Sequence, residues 1–337
     1  MYYLKNDYSE GCHPRLLEAL TRTNLTPTTG YGLDEYCTEA AELIQTTFAC
    51  PEADVHFLVG GTQANLTVIA QALRPYEAVV TVATGHIFGH ESGAIEAAGH
   101  KVITYPNPDG KVTPSMVEQA LLDNAEEYTP RPAMVYISNA TEIGTLYTKS
   151  ELTALHDCCK SHGLYLYLDG ARLGTALESS ESDLSPADLA RLTDAFYIGG
   201  TKNGAMFGEA VVLVNDDLKP HFRTTLKQRG GMLAKGRLLG VQFAELFRDG
   251  LWFDLARHAN AQAKALQDGL IAKKIPLMVT SPTNQLFPIF PKSQVARLSQ
   301  NFAFEIWGPQ DDDHQIIRLV TSWATQPETV AAFLNAL

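Results

Sequence analysis

Short, almost continuously apolar runs alternate with helical patterns along most of this chain. Runs of strand length occur at VHFLV (55–59), AVVTVAT (78–84), AMVYIS (133–138) and LYLYL (164–168). Strands with successive apolar positions are typical of sheets that are buried on both faces. Between them apolar residues recur at helical spacing, and one helix is predicted to begin at Ser150 and end near Gly163. This alternation predicts an α/β fold with a mostly parallel central sheet covered by helices.

The pattern changes near residue 245. A long helical pattern, LWFDLARHANAQAKALQDGL, is followed by three short strand-like runs, IPLMVT, QLFPIF and QIIRLV, and then by a helix from Pro327. Such a series is consistent with a smaller α/β unit at the C-terminus. We therefore predict a large domain over 1–245 and a small C-terminal domain over 246–337.

Composition and charge narrow the classes of function. The 337 residues are 45% hydrophobic and 19% charged, which provides enough apolar material for a globular core. A formal charge of -12, with the basic residues scattered, disfavours nucleic-acid binding. The polar opening MYYLKNDYSEG is unlike a signal peptide and no apolar run is long enough to cross a bilayer, so we expect a cytoplasmic protein without membrane contact. The five cysteines form no CxxC pair, so we expect reduced thiols and no metal site.

Two motifs at predicted strand ends carry candidate chemistry. Gly60 and Gly61 follow the first strand, and Thr62 is placed to cap the helix that comes next. Backbone N–H groups and the helix dipole at such a turn favour a phosphate, although an ordinary glycine turn has the same sequence. Asp169 ends the strand LYLYL at the edge where open α/β sheets bind ligands. It would pair either with a protonated pyridine nitrogen or with nearby Arg172.

A lysine supplies the third candidate. Lys202 lies between Gly200 and Gly204, and Thr201 next to it offers a hydroxyl to a phosphate. A lysine in a loop is usually solvated, and only a paired or reacted lysine is commonly buried. A phosphate-binding turn, then an aspartate, then a lysine, each at a strand end, together indicate a pyridoxal-phosphate site.

With these motifs the chain resembles the threonine aldolase and β-eliminating lyase group of fold-type I pyridoxal-phosphate enzymes. The resemblance runs from Asn6 to about Trp323. The matching segments are NDYSEGCHP (6–14), GYGLDEY (30–36), GGTQAN (60–65), HIFGHESGAI (86–95), TEIGTLYT (141–148), DGARL (169–173), GGTKNGA (199–205), RGGMLAKG (229–236) and IRLVTSW (317–323).

The resemblance implies a role for each matched residue. Lys202 would form the Schiff base with the cofactor, Asp169 would pair with its pyridine nitrogen, and His86 would stack on its ring. The phosphate would be held by Gly61, Thr62 and Gln63. The substrate carboxylate would be bound by Arg172 and Arg318, with Asn6 nearby. Tyr31 would reach into the active site of a neighbouring subunit, which implies a homodimer or homotetramer with shared active sites.

The activity that follows is retro-aldol cleavage of the Cα–Cβ bond of L-threonine, L-allo-threonine or a related β-hydroxy amino acid, giving glycine and an aldehyde. A β-eliminating lyase or an amino-acid decarboxylase would use the same scaffold, because only the groups facing the substrate side chain differ. A non-catalytic protein that binds pyridoxal phosphate is the alternative from another class. Two arginines and a histidine around the ring would have no purpose in such a protein.

Three departures from the family pattern bear on the site. Asn6 stands where many relatives have serine. Leu233 stands where many have an arginine, so Arg229 or Lys235 would have to support the phosphate. The segment 141–148 replaces a stretch in which other relatives have a second active-site histidine, so the β-hydroxyl proton would pass to His86 or to a phosphate-bound water. From the residues alone, His86 could equally bond a backbone carbonyl, and Arg318 could point to solvent.

Overall fold

The computed structural model describes residues 1–337, and a seven-stranded sheet forms its centre. In spatial order the strands are β2 (Asp54–Leu58), β8 (Glu209–Leu213), β7 (Ala195–Gly199), β6 (Tyr165–Asp169), β5 (Arg131–Ser138), β3 (Glu77–Val82) and β4 (Lys101–Tyr105). Only β8 runs against the others. The predicted mostly parallel α/β sheet is confirmed, and the carboxyl ends of six strands meet at one edge.

Helices cover both faces of this sheet. They are α1 (Pro14–Thr23), α2 (Glu35–Thr47), α3 (Gly61–Ala72), α4 (His86–Gly89), α5 (Ala94–Ala97), α6 (Pro114–Asp123), α7 (Lys149–His162), α8 (Leu173–Leu177), α9 (Pro186–Leu192) and α10 (Phe222–Gln228), with a 3-10 turn at Asp216–Leu218. Two separate apolar clusters result, one on each face. Strands β3, β7 and β8 are therefore buried throughout. The expectation that the apolar strands are buried on both faces is wrong for β2, which is half-buried because it lies at the sheet edge.

Local signals explain the bounds of α7. Thr148 caps its first turn, and Glu151 returns a hydrogen bond to the backbone of Thr148. Gly163 ends the helix with φ of 66°, a left-handed conformation that favours glycine. The predicted end is confirmed. The helix begins one residue before the predicted Ser150, because Thr148 and not Ser150 makes the cap.

The C-terminal third contains a smaller antiparallel sheet. Its elements are α11 (Arg237–Arg248), α12 (Leu251–Ala272), β9 (Gln285–Leu286), β10 (Ile289–Pro291), α13 (Lys292–Leu298), β11 (Phe302–Ala303), β12 (Glu305–Pro309), β13 (His314–Val320) and α14 (Pro327–Asn335). The predicted long helix, the strand QIIRLV and the closing helix are confirmed. A strand at IPLMVT is wrong: only Leu277 forms a bridge, and it faces Pro288, which has no N–H to extend a ladder.

The start of the chain packs against this smaller sheet. Strand β1 (Tyr2–Tyr3) pairs in parallel with β11, and Leu4 is buried in the apolar cluster of the C-terminal residues. The division at residue 245 stays a prediction. None of the helices combines the length and the apolar composition that crossing a membrane requires.

Candidate active site

A cavity of about 460 Å³ opens where the parallel strands end. It contains eight of the eleven predicted site residues: Gly61, Thr62, His86, Asp169, Arg172, Thr201, Lys202 and Arg318. Strands β6 and β7 deliver Asp169 and Lys202, and α3 begins beside them. Because β8 is antiparallel, its first residue, Glu209, reaches the same edge opposite Gly199. The volume lies within the range of small-molecule sites, about 300–1,000 Å³.

Asp169 is buried and accepts several hydrogen bonds. Its Oδ2 accepts from Asn65 Nδ2 at 3.1 Å and from the Tyr136 hydroxyl at 2.5 Å, and its Oδ1 accepts from the backbone N–H of Ala171 at 2.9 Å. Burial by itself would raise the pKa of Asp169. The electrostatic interaction with His86 and the hydrogen bond from Tyr136 outweigh burial, and the pKa of Asp169 is lowered. Asp169 is therefore held as a carboxylate that can pair with a cation.

Lys202 is partly exposed to the cavity, and its Nζ lies 6.0 Å from the centre of the Tyr8 ring. Burial, and then the charge of Arg172, lower the pKa of Lys202, against the opposing carboxylates of Asp7, Asp169 and Glu209. A lowered pKa makes a neutral, nucleophilic amine more accessible. The alternative interpretation of Lys202 as a solvated loop lysine does not fit this position.

The turn before α3 presents free backbone donors. Gly60 is the N-cap, and no side chain bonds to the first turn, so the expectation that Thr62 caps the helix is wrong: Thr62 lies inside the first turn. A Cβ on Gly61 would lie 2.8 Å from the Tyr197 hydroxyl, so any other residue there would displace Tyr197. The unpaired N–H groups and the helix dipole make this end of α3 suited to a phosphate.

His86 belongs to a buried polar network. Its Nδ1 lies 2.7 Å from Glu91 Oε1, and the same oxygen accepts from Asn65 Nδ2 at 2.7 Å. Asn65 also donates to Asp169 and accepts from the Tyr167 hydroxyl at 3.0 Å. Asn65 therefore connects Glu91, the carboxylate that orients His86, with Asp169. The partner of His86 is a carboxylate and not a backbone carbonyl.

The two arginines have different surroundings. Arg172 makes a two-pronged ion pair with buried Asp7, at 2.7 and 3.0 Å, and Asn284 also donates to Asp7. Arg318 pairs with Glu305 through Nη2 and lies 5.2 Å from the Trp307 ring, while its buried Nε has no partner. Burial and then Arg172 lower the pKa of Arg318. Arg318 therefore retains donors for an anion, whereas Asp7 already occupies two nitrogens of Arg172.

Three predicted site residues lie outside this cavity. The Asn6 side chain accepts from the Tyr8 backbone and the Ser9 hydroxyl. Gln63 bonds the carbonyl of Arg229 at 3.3 Å. Tyr31 lines a separate cavity of about 370 Å³ and is exposed, with φ of 62°.

Of the two basic residues proposed to support the phosphate, Arg229 lies beside Gln63, and its Nε is buried without a partner. Lys235 is exposed and lines another surface pocket. The burial and the contact with Gln63 favour Arg229 over Lys235.

Five carboxylates at or near the cavity were missed by the sequence reasoning: Asp7, Glu91, Glu142, Glu209 and Glu305. Glu209 Oε2 accepts from the Gly200 N–H at 3.0 Å, and burial raises the pKa of Glu209 to about 7 although hydrogen bonds from Thr201 and Gly200 oppose it. Glu209 and Glu305 lie outside the segments quoted for the family resemblance, whereas Asp7, Glu91 and Glu142 lie inside them. That position was the available signal, but it gives neither burial nor partners.

These residues fit pyridoxal phosphate. A lysine with a lowered pKa, a buried carboxylate held ionised and a helix end with free N–H groups face one cavity. An aldehyde, a ring nitrogen and a phosphate are the three groups of the cofactor that such residues would bind.

Comparisons with known proteins agree with this arrangement. The family model described as beta-eliminating lyase matches residues 20–291. The low-specificity L-threonine aldolase of Pseudomonas aeruginosa is 32% identical over 270 residues, which are 79% of this chain and 77% of that protein.

Solved structures extend the similarity over the whole chain. Leishmania major threonine aldolase is 51% identical, with a TM-score of 0.98 over 99% of this chain and 98% of that one. A Thermus thermophilus aspartate aminotransferase double mutant, 18% identical, gives a TM-score of 0.74 over 100% of this chain and 90% of that one, which shows a shared fold.

Proposed function

The chain belongs to the β-eliminating lyase family, and from this premise we propose that it is a pyridoxal-phosphate-dependent lyase that cleaves threonine to glycine and an aldehyde. One observation carries the proposal: Lys202, Asp169 and the free N-terminus of α3 face the same cavity. The threonine aldolases with which the chain shares most of its length support the same reaction. The preferred substrates would be L-threonine, L-allo-threonine or a related β-hydroxy amino acid.

Several residues of the cavity have a role in this proposal. Lys202 would bond covalently to the cofactor, Asp169 would hold the proton on its ring nitrogen, and the N–H groups of Gly61 and Thr62 would hold its phosphate. When bound, the cofactor supplies an electron sink for the bonding pair released at Cα. His86, oriented by Glu91, would line the face on which the substrate lies.

We expect the purified protein with added pyridoxal phosphate to release glycine and acetaldehyde from L-threonine. Coupled reduction of the aldehyde by alcohol dehydrogenase and NADH measures one product, and amino-acid analysis measures the other. The control is cofactor-free protein assayed without added pyridoxal phosphate. Release of pyruvate from serine, or of carbon dioxide, without any aldehyde would instead assign a β-eliminating lyase or a decarboxylase.

The substrate carboxylate would bind to Arg318, with Arg172 behind it. Arg172 is held by Asp7, so its charge and one remaining nitrogen contribute, while the unpartnered Nε of Arg318 is available for direct hydrogen bonding. The carboxylate would also offset two positive charges that lie close together in a buried place.

Arg318→Ala is expected to raise KM for threonine by about 10- to 100-fold, because charge-assisted hydrogen bonds contribute about 1.5–3 kcal/mol. Steady-state kinetics of threonine cleavage measure the change. Arg257→Ala is the matched control, since Arg257 makes only surface ion pairs with Glu178 and Asp254. An unchanged KM in Arg318→Ala would remove Arg318 from the substrate site.

A neighbouring subunit would complete the site. Tyr31 is exposed on a loop away from the cavity, and Arg223 holds its carbonyl at 2.9 Å. An exposed aromatic residue on such a fixed loop is suited to contact a second copy of the chain. A homodimer or homotetramer, with Tyr31 reaching the partner's cavity, therefore stays part of the proposal.

A further inference from the structure

Glu142 is a partly buried acidic residue whose position the cofactor-binding residues do not explain. It follows strand β5 and lines the cavity. Its Oε1 accepts from the Ser138 hydroxyl at 2.7 Å and from the backbone N–H of His86 at 3.0 Å. Both hydrogen bonds go to this one oxygen. The second oxygen, Oε2, is left as the one that can meet a substrate.

Other acidic side chains at the cavity are already engaged. Asp169 uses both oxygens, Glu305 pairs with Arg318, and Glu209 bonds the backbone of Gly200. Glu142 holds two hydrogen bonds on Oε1 and none on Oε2. It also lies next to His86, at the edge of the cavity formed by β5 and β6.

We propose that Glu142 accepts the β-hydroxyl proton of the substrate. This inference rests on the proposed function and names the proton acceptor for it. The hydroxyl O–H bond breaks and its proton bonds to Glu142 Oε2. The oxygen pair becomes the second bond of the aldehyde C=O, the Cα–Cβ bond breaks, and its electron pair remains at Cα, where a later proton completes glycine.

The surroundings suit Glu142 to this task. Burial raises the pKa of Glu142, the charge of Asp169 adds to the increase, and the Ser138 hydrogen bond opposes both. A carboxylate whose pKa is moved toward neutrality is a stronger proton acceptor than an exposed one. The titratable groups around Glu142 are Asp169, His86, Tyr136, Tyr147 and Arg172.

His86 is the competing acceptor. Its Nδ1 is bonded to Glu91, and Asn65 joins Glu91 to Asp169, so the imidazole is part of the network that supports the cofactor's ring. The His86 backbone in turn donates to Glu142, which places the two side chains together. In this arrangement His86 orients groups at the ring and Glu142 moves the proton.

A purely structural role for Glu142 would be to hold the start of α4 through the His86 N–H. Glu142→Gln separates the two roles, because the amide oxygen of glutamine can accept the same two hydrogen bonds but cannot take up a proton. We expect Glu142→Gln to lower kcat for threonine by about 10²-fold, near the lower limit for general-base catalysis. Glycine lacks the β-hydroxyl, so its binding, followed by the cofactor's visible absorbance, should not change.

The pH dependence gives a second test. Wild-type kcat should rise with pH as Glu142 ionises, and this limb should be absent in Glu142→Gln. Glu142→His should restore cleavage, with the limb moved to the titration of an imidazole, near pH 6.5. Ser138→Ala removes a hydrogen bond that favours the ionised form, so its limb should move to higher pH.

Protein stability supplies a readout that needs no activity. The pKa of Glu142 is raised above 4.5 in the folded state, so the folded state binds this proton more tightly than the unfolded state does. The free energy of unfolding therefore falls as pH rises from 4.5 through the folded-state pKa. This pH-dependent decrease in stability should be absent in Glu142→Gln. Its melting temperature relative to wild type should therefore increase between pH 4.5 and neutral pH.

The outcomes distinguish this inference from the proposed function. If wild type releases no aldehyde from threonine, the proposed function fails. If wild type cleaves threonine but Glu142→Gln keeps the same kcat and pH limb, Glu142 is not the acceptor. Loss of glycine binding together with cleavage would assign Glu142 a structural role, which also overturns the inference.

Discussion

Replacing Lys202 with alanine is expected to abolish covalent capture of the cofactor and to lower threonine cleavage by at least about 10³-fold, because covalent attachment and proton movement at Cα depend on one amine. The lowered pKa of Lys202 makes this amine available where a surface lysine would stay protonated. Borohydride treatment followed by mass spectrometry should show one added cofactor per chain on the wild-type peptide that contains Lys202. The variant should show none.

Lys264→Ala is the matched control for Lys202→Ala. Lys264 is an exposed lysine on α12 that pairs with Asp268, so its loss should affect neither capture nor cleavage. The phosphate-binding end of α3 remains in Lys202→Ala, and cofactor should still associate reversibly. Capture of the cofactor at another lysine of the wild-type protein, or full activity in Lys202→Ala, would contradict the assignment.

The central part of the site could be predicted from sequence because its residues follow strand ends. Asp169 ends β6, Lys202 follows β7, and Gly60 and Gly61 precede α3. In a parallel sheet the carboxyl ends of neighbouring strands share an edge, so order along the chain is enough to bring such residues together. The predicted strands and helices of this part are confirmed for the same reason.

The partners of these residues could not be predicted in the same way. The pair Arg172–Asp7 joins residues far apart in the chain, and so do the bonds from Asn65 to Glu91 and Asp169. Such contacts depend on side-chain direction and on loop paths, which hydrophobic periodicity does not encode. The sequence indicated Asp169 or a substrate carboxylate as the partner of Arg172, whereas the structure pairs Arg172 with buried Asp7.

Two errors in the C-terminal strand predictions, at IPLMVT and at β12, have local causes. IPLMVT has the composition of a strand, but its neighbour contains Pro288, and a ladder cannot continue opposite a residue without an N–H. Strand β12, which carries Glu305 and ends at Pro309, was missed because EIWGP shows no alternating pattern. Both errors arise because strand pairing depends on the partner strand as well as on the strand's own sequence.

The second large effect is expected from Asp169→Asn, which should lower kcat by about 10³-fold while leaving covalent capture at Lys202 intact. Asparagine has nearly the same shape but no charge, so it cannot hold a proton on the cofactor's ring nitrogen, and preorganised charges of this kind are worth about 10²–10³ in rate. The visible absorbance of the bound cofactor should change together with kcat.

Stability must be separated from catalysis in this variant. Asp169 accepts from the Ala171 N–H as well as from Asn65 and Tyr136. The NH₂ group of an asparagine would replace one of the two accepting oxygens and face a donor, which costs about 1–3 kcal/mol of stability. Asp194→Asn is the matched control: Asp194 is also buried and accepts from the backbone of Leu166 and from Lys160, but it lies outside the cavity. Both variants should melt at lower temperature, and only Asp169→Asn should lose kcat. An equal loss in both would mean that Asp169 acts through folding alone.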